Sequence, residues 1–188
     1  MKRKPIYGKP FEYVANEILQ NEFSDEFSGL ENGDKPDLYD TNQKIGVEVT
    51  TASSDGAIEC GQWLENTQDY ERIKPKYFKG YYCGRGFIIS PVILEENKKI
   101  FDAINSKRIE WKGYKYCAQK SIFIVCANIN FSKADIQNYL KTKCPEISEF
   151  FILNLDILYR IDRYAITEYR ISKDEIERLC LKYLPLSV

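Results

Sequence analysis

Two carboxylates, Asp37 and Glu48, lie on either side of the turn-prone stretch Thr-Asn-Gln-Lys at 41–44. A hairpin centred on that stretch places Asp37 opposite Glu48, whether its turn uses two residues or four. Opposed side chains point to the same side of a hairpin, with Cβ atoms about 5 Å apart. Like charges repel there unless a cation lies between them, and Mg²⁺ binds through one or two carboxylates. The spacing therefore predicts a divalent-metal site for Mg²⁺ or Mn²⁺, although two exposed carboxylates facing solvent have the same spacing.

The composition limits which other chemistry is available. The 188 residues include no histidine, which excludes Ser-His-Asp triads, Cys-His proteases and histidine-ligated zinc. Catalysis would have to use carboxylates, lysines, hydroxyls or thiols. Lys and Arg total 27 against 28 Asp and Glu. This near-balance excludes a highly acidic tail protein and a basic coat for indiscriminate nucleic-acid binding.

The cysteines and the hydropathy pattern indicate a cytoplasmic protein. Six cysteines occur without a C-x-x-C pair, which predicts free thiols in a reducing compartment. The basic start is not followed by the apolar stretch of a secretory signal. No window approaches the roughly 18 consecutive apolar residues of a membrane span, so we expect no membrane partner. The cysteines are Cys60, Cys83, Cys117, Cys126, Cys144 and Cys180.

The hydrophobic pattern predicts a single domain over residues 1–188, with a mixed central β-sheet flanked by helices and an α/β fold. The strand that carries Glu48 alternates between apolar and polar or small residues, so we expect it to be half-buried. A polar loop is predicted from Ser24 to Lys35, and Ser172 is the predicted N-cap of the last helix. Helices are predicted at Phe11–Asn21, Trp63–Tyr82 (interrupted by Pro75), Glu95–Trp111, Ile136–Leu140 and Asp174–Leu184; strands at Ile45–Thr51, Gly86–Ser90, Ser121–Ala127, Phe150–Leu155 and one or two within Tyr159–Ile171; and a second loop at Ser53–Gly61.

Asp37 after Pro36, followed by Glu-Val-Thr at 48–50 on the next strand, resembles the PD-(D/E)XK nuclease superfamily. That superfamily includes restriction endonucleases, recombination exonucleases and many phage and mobile-element nucleases. The resemblance covers roughly residues 11 to 127 and implies a restriction-endonuclease-like core. It also implies a metal ion bound by Asp37, Glu48 and the main-chain carbonyl of Val49. An acidic residue of the first helix often joins such a site; Glu12, at the border of the apolar face, is preferred to Glu17, although two solvated glutamates on the outer face of a helix fit the same pattern.

The chain departs from the superfamily at Thr50, where a lysine is usual. That lysine orients the attacking water and stabilises negative charge on the phosphate. Some members carry it on a neighbouring helix, and residues 103–114 resemble that segment of the EVT-type relatives. Lys107 is the first substitute and Lys112 the second, although a lysine-rich helix face is also typical of simple solvation. Thr50 itself could hold a water or a phosphate oxygen by a hydrogen bond.

Together, the residues and the resemblance imply a metal-dependent nuclease that hydrolyses phosphodiester bonds in DNA. Near-neutral charge implies modest affinity for DNA, which a homodimer or a protein partner would reinforce. The alternative, favoured by Thr50, is a non-catalytic nucleic-acid- or protein-binding regulator on the same fold, such as a phage or mobile-element protein. A third option is an α/β domain without a nucleic-acid role. It would follow if Asp37 and Glu48 pointed to opposite sides of the sheet.

Overall fold

The computed structural model describes residues 9–52, 97–111, 117–126 and 130–183. Within these ranges the chain forms a seven-stranded sheet whose strands are ordered as in the sequence, with helices packed against it. The strands are β1 (Glu31–Asn32), β2 (Leu38–Asp40), β3 (Ile45–Ala52), β4 (Gln119–Cys126), β5 (Glu149–Asn154), β6 (Ile157–Asp162) and β7 (Ile166–Arg170). The helices are α1 (Lys9–Glu22), α2 (Ser24–Phe27), α3 (Asn97–Trp111), α4 (Lys133–Lys143) and α5 (Lys173–Tyr183).

The centre of the sheet is parallel and its two sides are antiparallel. β3 pairs with β4 from Ile45 opposite Gln119 onward, and β4 pairs with β5 in the same direction. The pairs β1–β2, β2–β3, β5–β6 and β6–β7 are antiparallel. Parallel neighbours require crossover connections, which is why α3 precedes β4 and α4 precedes β5. The predicted mixed sheet with flanking helices is confirmed.

Both faces of the central strands are buried. One face packs Val47, Val49 and Phe123 with residues of α1, α2 and α5. The other packs Ile122 and Ile124 with residues of α3 and α4. The prediction that β3 is half-buried was therefore wrong. Ile45–Val49 are all buried, because α3 covers the face that carries the strand's polar residues.

Most of the predicted helices and strands that fall within the described ranges are present. The predicted first helix matches α1, and two strands, β6 and β7, form between Tyr159 and Ile171. Ser172 caps α5, since its Oγ accepts the backbone N–H of Glu175 at 3.1 Å. The predictions of a helix at 63–82, a strand at 86–90 and a loop at 53–61 lie outside the described residues.

The predicted loop from Ser24 to Lys35 was wrong in part. The short helix α2 and the strand β1 lie within it, and Asn32 pairs with Leu38. Phe23, Phe27 and Leu30 are buried in the core beside this segment. Their burial stabilises the short helix and strand, although the polar residues around them are typical of a loop.

Two further sequence predictions concern thiols and membranes. Cys117, Cys126 and Cys144 are free and buried, as expected. Cys60 and Cys83 lie outside the described residues, as does the side chain of Cys180. None of the helices in the described ranges has the length and apolar character needed to cross a membrane.

Candidate active site

The β2–β3 hairpin has the predicted register. Asp40 pairs with Ile45 and Leu38 pairs with Val47, so Asp37, one residue before β2, continues the register opposite Glu48. The Oδ2 of Asp37 accepts the backbone N–H of Val49 at 2.8 Å. Asp37 is thus held against β3 by a bond to the main chain of the residue that follows Glu48.

The turn of this hairpin is closed by another buried carboxylate. Asp40 is 1% exposed, and its Oδ1 accepts the backbone N–H groups of Asn42 and Gln43 at 2.8 and 2.9 Å. An Asp that bonds to the main chain two and three residues later is a common way to stabilise a tight turn. Asp40 therefore has a structural role that fixes the register, and it belongs to the turn rather than to the site.

Helix α3 is positioned over β3 by a contact between Trp111 and Gly46. A Cβ atom on Gly46 would lie 2.8 Å from Cη2 of Trp111, so only glycine allows this approach. Lys107 precedes Trp111 by four residues, and Glu48 follows Gly46 by two. Four residues of helix rise about 6 Å and two residues of strand about 6.6 Å. The helix therefore brings Lys107 to Glu48 when Trp111 packs on Gly46.

Lys107 bridges the two carboxylates. Its Nζ donates to Oε2 of Glu48 at 2.7 Å and to Oδ2 of Asp37 at 3.1 Å. It also lies 3.6 Å from Oε2 of Glu110, three residues further along α3. The side chains of Lys107 and Asp37 are each 16% exposed, whereas that of Glu48 is 1% exposed. Solvent thus reaches Asp37 and Lys107, whereas Glu48 is buried.

When both are ionised, Asp37 and Glu48 carry more negative charge than the one ammonium of Lys107 neutralises. Burial raises the pKa of Glu48, the charge of Asp37 raises it further, and Lys107 acts in the opposite direction. Burial lowers the pKa of Lys107, but the hydrogen bond and charge of Glu48 and the charge of Asp37 outweigh it, so this pKa lies above its ordinary value. Burial is therefore the main cause of the raised pKa of Glu48, whereas the two carboxylates are the cause of the raised pKa of Lys107.

The two carboxylate oxygens of Glu48 differ in their hydrogen bonding. Its Oε1 is buried and accepts no hydrogen bond from the residues that the structure describes. A buried carboxylate oxygen without a donor carries a desolvation cost and is uncommon in native proteins. A cation bound at this oxygen would remove that cost.

Glu149 shows how the same chain satisfies another buried glutamate. It is 3% exposed, and its Oε1 accepts from Gln119 at 2.8 Å and from Ser121 at 3.3 Å. Its Oε2 accepts from Arg160 at 2.6 Å. Both of its oxygens are therefore bonded, as expected for a purely structural carboxylate. The unpartnered oxygen distinguishes Glu48 from this pattern.

The other residues predicted for the site are Thr50, Val49, Glu12 and Lys112. Thr50 is on the same face of β3 as Glu48, two residues further, and is partly exposed. The N–H of Val49 donates to Oδ2 of Asp37, and this bond holds the main chain of Val49 beside Asp37. Glu12 lies in the first turn of α1 and is partly buried. Lys112 lies outside the described residues.

Glu17 binds elsewhere. Its carboxylate pairs with Arg178 at 2.6 Å and with Lys182 at 3.0 Å, and it accepts a hydrogen bond from Tyr183. Burial raises the pKa of Glu17, but the bonds from Tyr183, Lys182 and Arg178 lower it to about 2. Glu17 therefore ties α1 to α5 and is committed to that contact.

The described parts of the chain contain no group of three acidic or thiol side chains close enough to hold a metal ion. Asp37 and Glu48 are a pair of carboxylates whose oxygens converge on one cation, the ammonium of Lys107. Sequence reasoning did not identify Glu110, Gly46 or Trp111. The i, i+3 spacing of Glu110 from Lys107 is the one signal that could have indicated it.

Comparisons with known proteins do not assign this site. No family model, no curated protein and no solved structure matches the chain. The geometry of the described residues is therefore the basis for any statement about function.

Proposed function

We propose that the chain is a divalent-metal-dependent nuclease that hydrolyses phosphodiester bonds in DNA, on a restriction-endonuclease-like core. The observation that carries the proposal is the arrangement of Asp37 and Glu48 around Lys107, in which the buried Oε1 of Glu48 has no donor among the described residues. Such a site combines acidic oxygens, which suit Mg²⁺ or Mn²⁺, with a lysine beside them.

The residues present fit a small divalent cation. Asp37 and Glu48 would hold it, with the carbonyl of Val49 as a neutral third ligand. Mg²⁺ typically takes one or two carboxylates and keeps its other positions for water and phosphate oxygens, so a two-carboxylate site is sufficient. When bound there, the ion would activate a water molecule and withdraw charge from a phosphate.

Side chains of the site would bind the phosphate and orient the groups around it. Lys107, 16% exposed at the open side of the cluster, would attract a phosphate and stabilise negative charge that develops on it. The N–H of Val49 fixes the carboxylate of Asp37, so this ligand is oriented before any ion binds. Thr50, two residues beyond Glu48, would offer a hydroxyl to a water or a phosphate oxygen. Lys107 and Thr50 together would replace the lysine that is usual at position 50.

Cleavage of plasmid DNA in Mg²⁺ or Mn²⁺ tests the proposal. We expect cleavage by the native chain, and its loss in Asp37→Asn and Glu48→Gln, each of which removes one charge from the site. Asp102→Asn, on the exposed side of α3, is the matched control and should cut normally. Absence of cleavage in both metals, or equal cleavage by all variants, would contradict the proposal.

A second candidate is a non-catalytic nucleic-acid- or protein-binding regulator on the same fold. It is supported by Thr50 and by the internal ammonium, because Lys107 neutralises much of the charge of Asp37 and Glu48 without any ion. DNA binding that is unchanged by a chelator, without cleavage in either metal, would favour this candidate over the nuclease.

A further inference from the structure

Among the described residues, Lys107 lies close to three carboxylates and forms hydrogen bonds with two of them. The 2.7 Å and 3.1 Å contacts to Glu48 and Asp37 are hydrogen bonds, whereas the 3.6 Å approach to Glu110 is an ion pair without one. An ammonium has three donors, and two of them serve Glu48 and Asp37. Glu110 is thus a nearby carboxylate to which the third donor of Lys107 could form a hydrogen bond after a small movement.

A cation at Oε1 of Glu48 would share the two carboxylates with Lys107, which occupies Oε2 of Glu48 and Oδ2 of Asp37. Like charges a few ångströms apart repel strongly where burial reduces screening. The ammonium therefore has to move away from Oε2 of Glu48 for an ion to bind. The four-carbon stem of lysine is flexible enough for its Nζ to move without moving α3.

Glu110 lies where the displaced ammonium can go. It projects from the same helix three residues after Lys107, and its side chain is 45% exposed, so it does not have to be desolvated further. A carboxylate at i+3 can accept the lysine while the backbone of α3 stays in place.

We propose that Glu110 is a positioning residue that receives the ammonium of Lys107 when a divalent cation binds between Asp37 and Glu48. This inference rests on the metal site of the proposed function. In the ion-free protein Lys107 neutralises the two ligands, and in the loaded protein Glu110 keeps the same ammonium beside the site, free of the ligand oxygens.

Mn²⁺ affinity, measured by titration calorimetry, tests the role of Glu110 without relying on activity. Glu110→Gln removes the negative charge that would pair with the displaced ammonium, and it should weaken Mn²⁺ binding by about 3-fold or more, the size expected of a partly exposed ion pair. Asp102→Asn removes one exposed negative charge from the same helix and should change the affinity by less than about 2-fold. Equal affinities of Glu110→Gln and Asp102→Asn would overturn the inference.

A second pair of variants separates a role through Lys107 from a direct effect of charge. In a Lys107→Met background, Glu110→Gln should no longer change Mn²⁺ affinity, since no ammonium remains to be received. A loss as large as in the native background would mean that Glu110 acts on the ion directly, which would contradict its role as a positioning residue.

A crystal structure of the native chain with Mn²⁺ gives the same answer even if Lys107→Met does not fold. Nζ of Lys107 should then lie within hydrogen-bond distance of Glu110 and be separated from Oε2 of Glu48. If Mn²⁺ is bound while Lys107 still donates to Glu48, the role of Glu110 would be overturned, but the proposed metal site would not. Failure of the native chain to bind Mn²⁺ would overturn both the inference and the proposed metal site.

Discussion

The ammonium of Lys107 lies 2.7 Å from Oε2 of Glu48, although 59 residues separate the two along the chain. Helix α3 provides this ammonium, and strand β3 provides the most buried carboxylate of the cluster. The charge balance of the site therefore depends on the packing of α3 on β3. Variants of the lysine and of the packing contact should have separable effects.

Lys107→Met should destabilise the ion-free protein by about 3 kcal/mol, because it leaves Asp37 and Glu48 facing each other without a cation. Saturating Mn²⁺ should restore much of that stability, since an ion that binds only the folded state stabilises it. Urea unfolding with and without Mn²⁺ measures both effects. Arg108→Met is the control: Arg108 pairs with Glu146 at a more exposed position, so it should cost about 1 kcal/mol or less and show no rescue. Equal costs for the two variants would contradict the account.

Gly46→Ala should destabilise the protein by about 1–3 kcal/mol, because the added methyl would overlap three neighbours. Its Cβ would lie 2.7 Å from Sγ of Cys117, 2.8 Å from Trp111 and 2.9 Å from Pro36. If α3 shifts to relieve the overlap, Lys107 moves with it, and Mn²⁺ affinity should change as well. Thermal unfolding and calorimetry check this against Thr51→Ala, an exposed position on the same strand. Native-like stability of Gly46→Ala would show that the contact is not needed.

Arg160→Met should cost about 3 kcal/mol and leave Mn²⁺ affinity unchanged. Arg160 binds the buried Glu149 through Nε at 2.6 Å and Glu26 through both terminal nitrogens, so its loss leaves Glu149 without its counter-charge. Unfolding experiments measure the cost, and Mn²⁺ titration provides the second readout. A loss of Mn²⁺ affinity here would mean that general destabilisation mimics the effects assigned to the site.

Glu17→Gln should lower stability at neutral pH but not near pH 2. In the folded protein the bonds from Tyr183, Lys182 and Arg178 hold the pKa of Glu17 at about 2, below its ordinary value of 4.5. The carboxylate therefore contributes stability above about pH 4.5, and this contribution is lost as the pH falls toward 2. We expect a difference of about 1 kcal/mol at pH 7, because the partners Arg178 and Lys182 are exposed and solvent screens their charges.

Urea unfolding of Glu17→Gln between pH 7 and pH 2 measures that difference. The control is Glu22→Gln, an exposed position at the end of the same helix, which should unfold like the native chain throughout. A difference between Glu17→Gln and the native chain that stays constant with pH would mean that the ionised carboxylate is not what stabilises the contact between α1 and α5.

Local patterns were sufficient to predict the hairpin and most of the helices. The turn stretch at 41–44 and the alternation after Lys44 define the register of β2 and β3, so the pairing of Asp37 with Glu48 follows from sequence alone. The amphipathic period of α1 and the N-cap Ser172 are equally local. These features depend on neighbours within a few residues.

The features that the sequence did not predict depend on contacts between segments that are distant along the chain. β3 looked half-buried because Gly46, Glu48 and Thr50 are small or polar, but Lys107 partly neutralises Glu48 and Trp111 covers Gly46. The rotation of α3 about its axis decides which lysine faces the carboxylates, and no local pattern encodes it. Lys107 was proposed by resemblance, whereas Glu110 was not anticipated.

The central claim is that Asp37 and Glu48 hold one divalent cation between them. A crystal soaked in Mn²⁺ and measured for anomalous scattering tests it most directly. We expect a peak about 2.1 Å from an oxygen of each carboxylate, and no such peak in crystals of Glu48→Gln. No peak at this position in the native protein, or an equal peak in the variant, would contradict it.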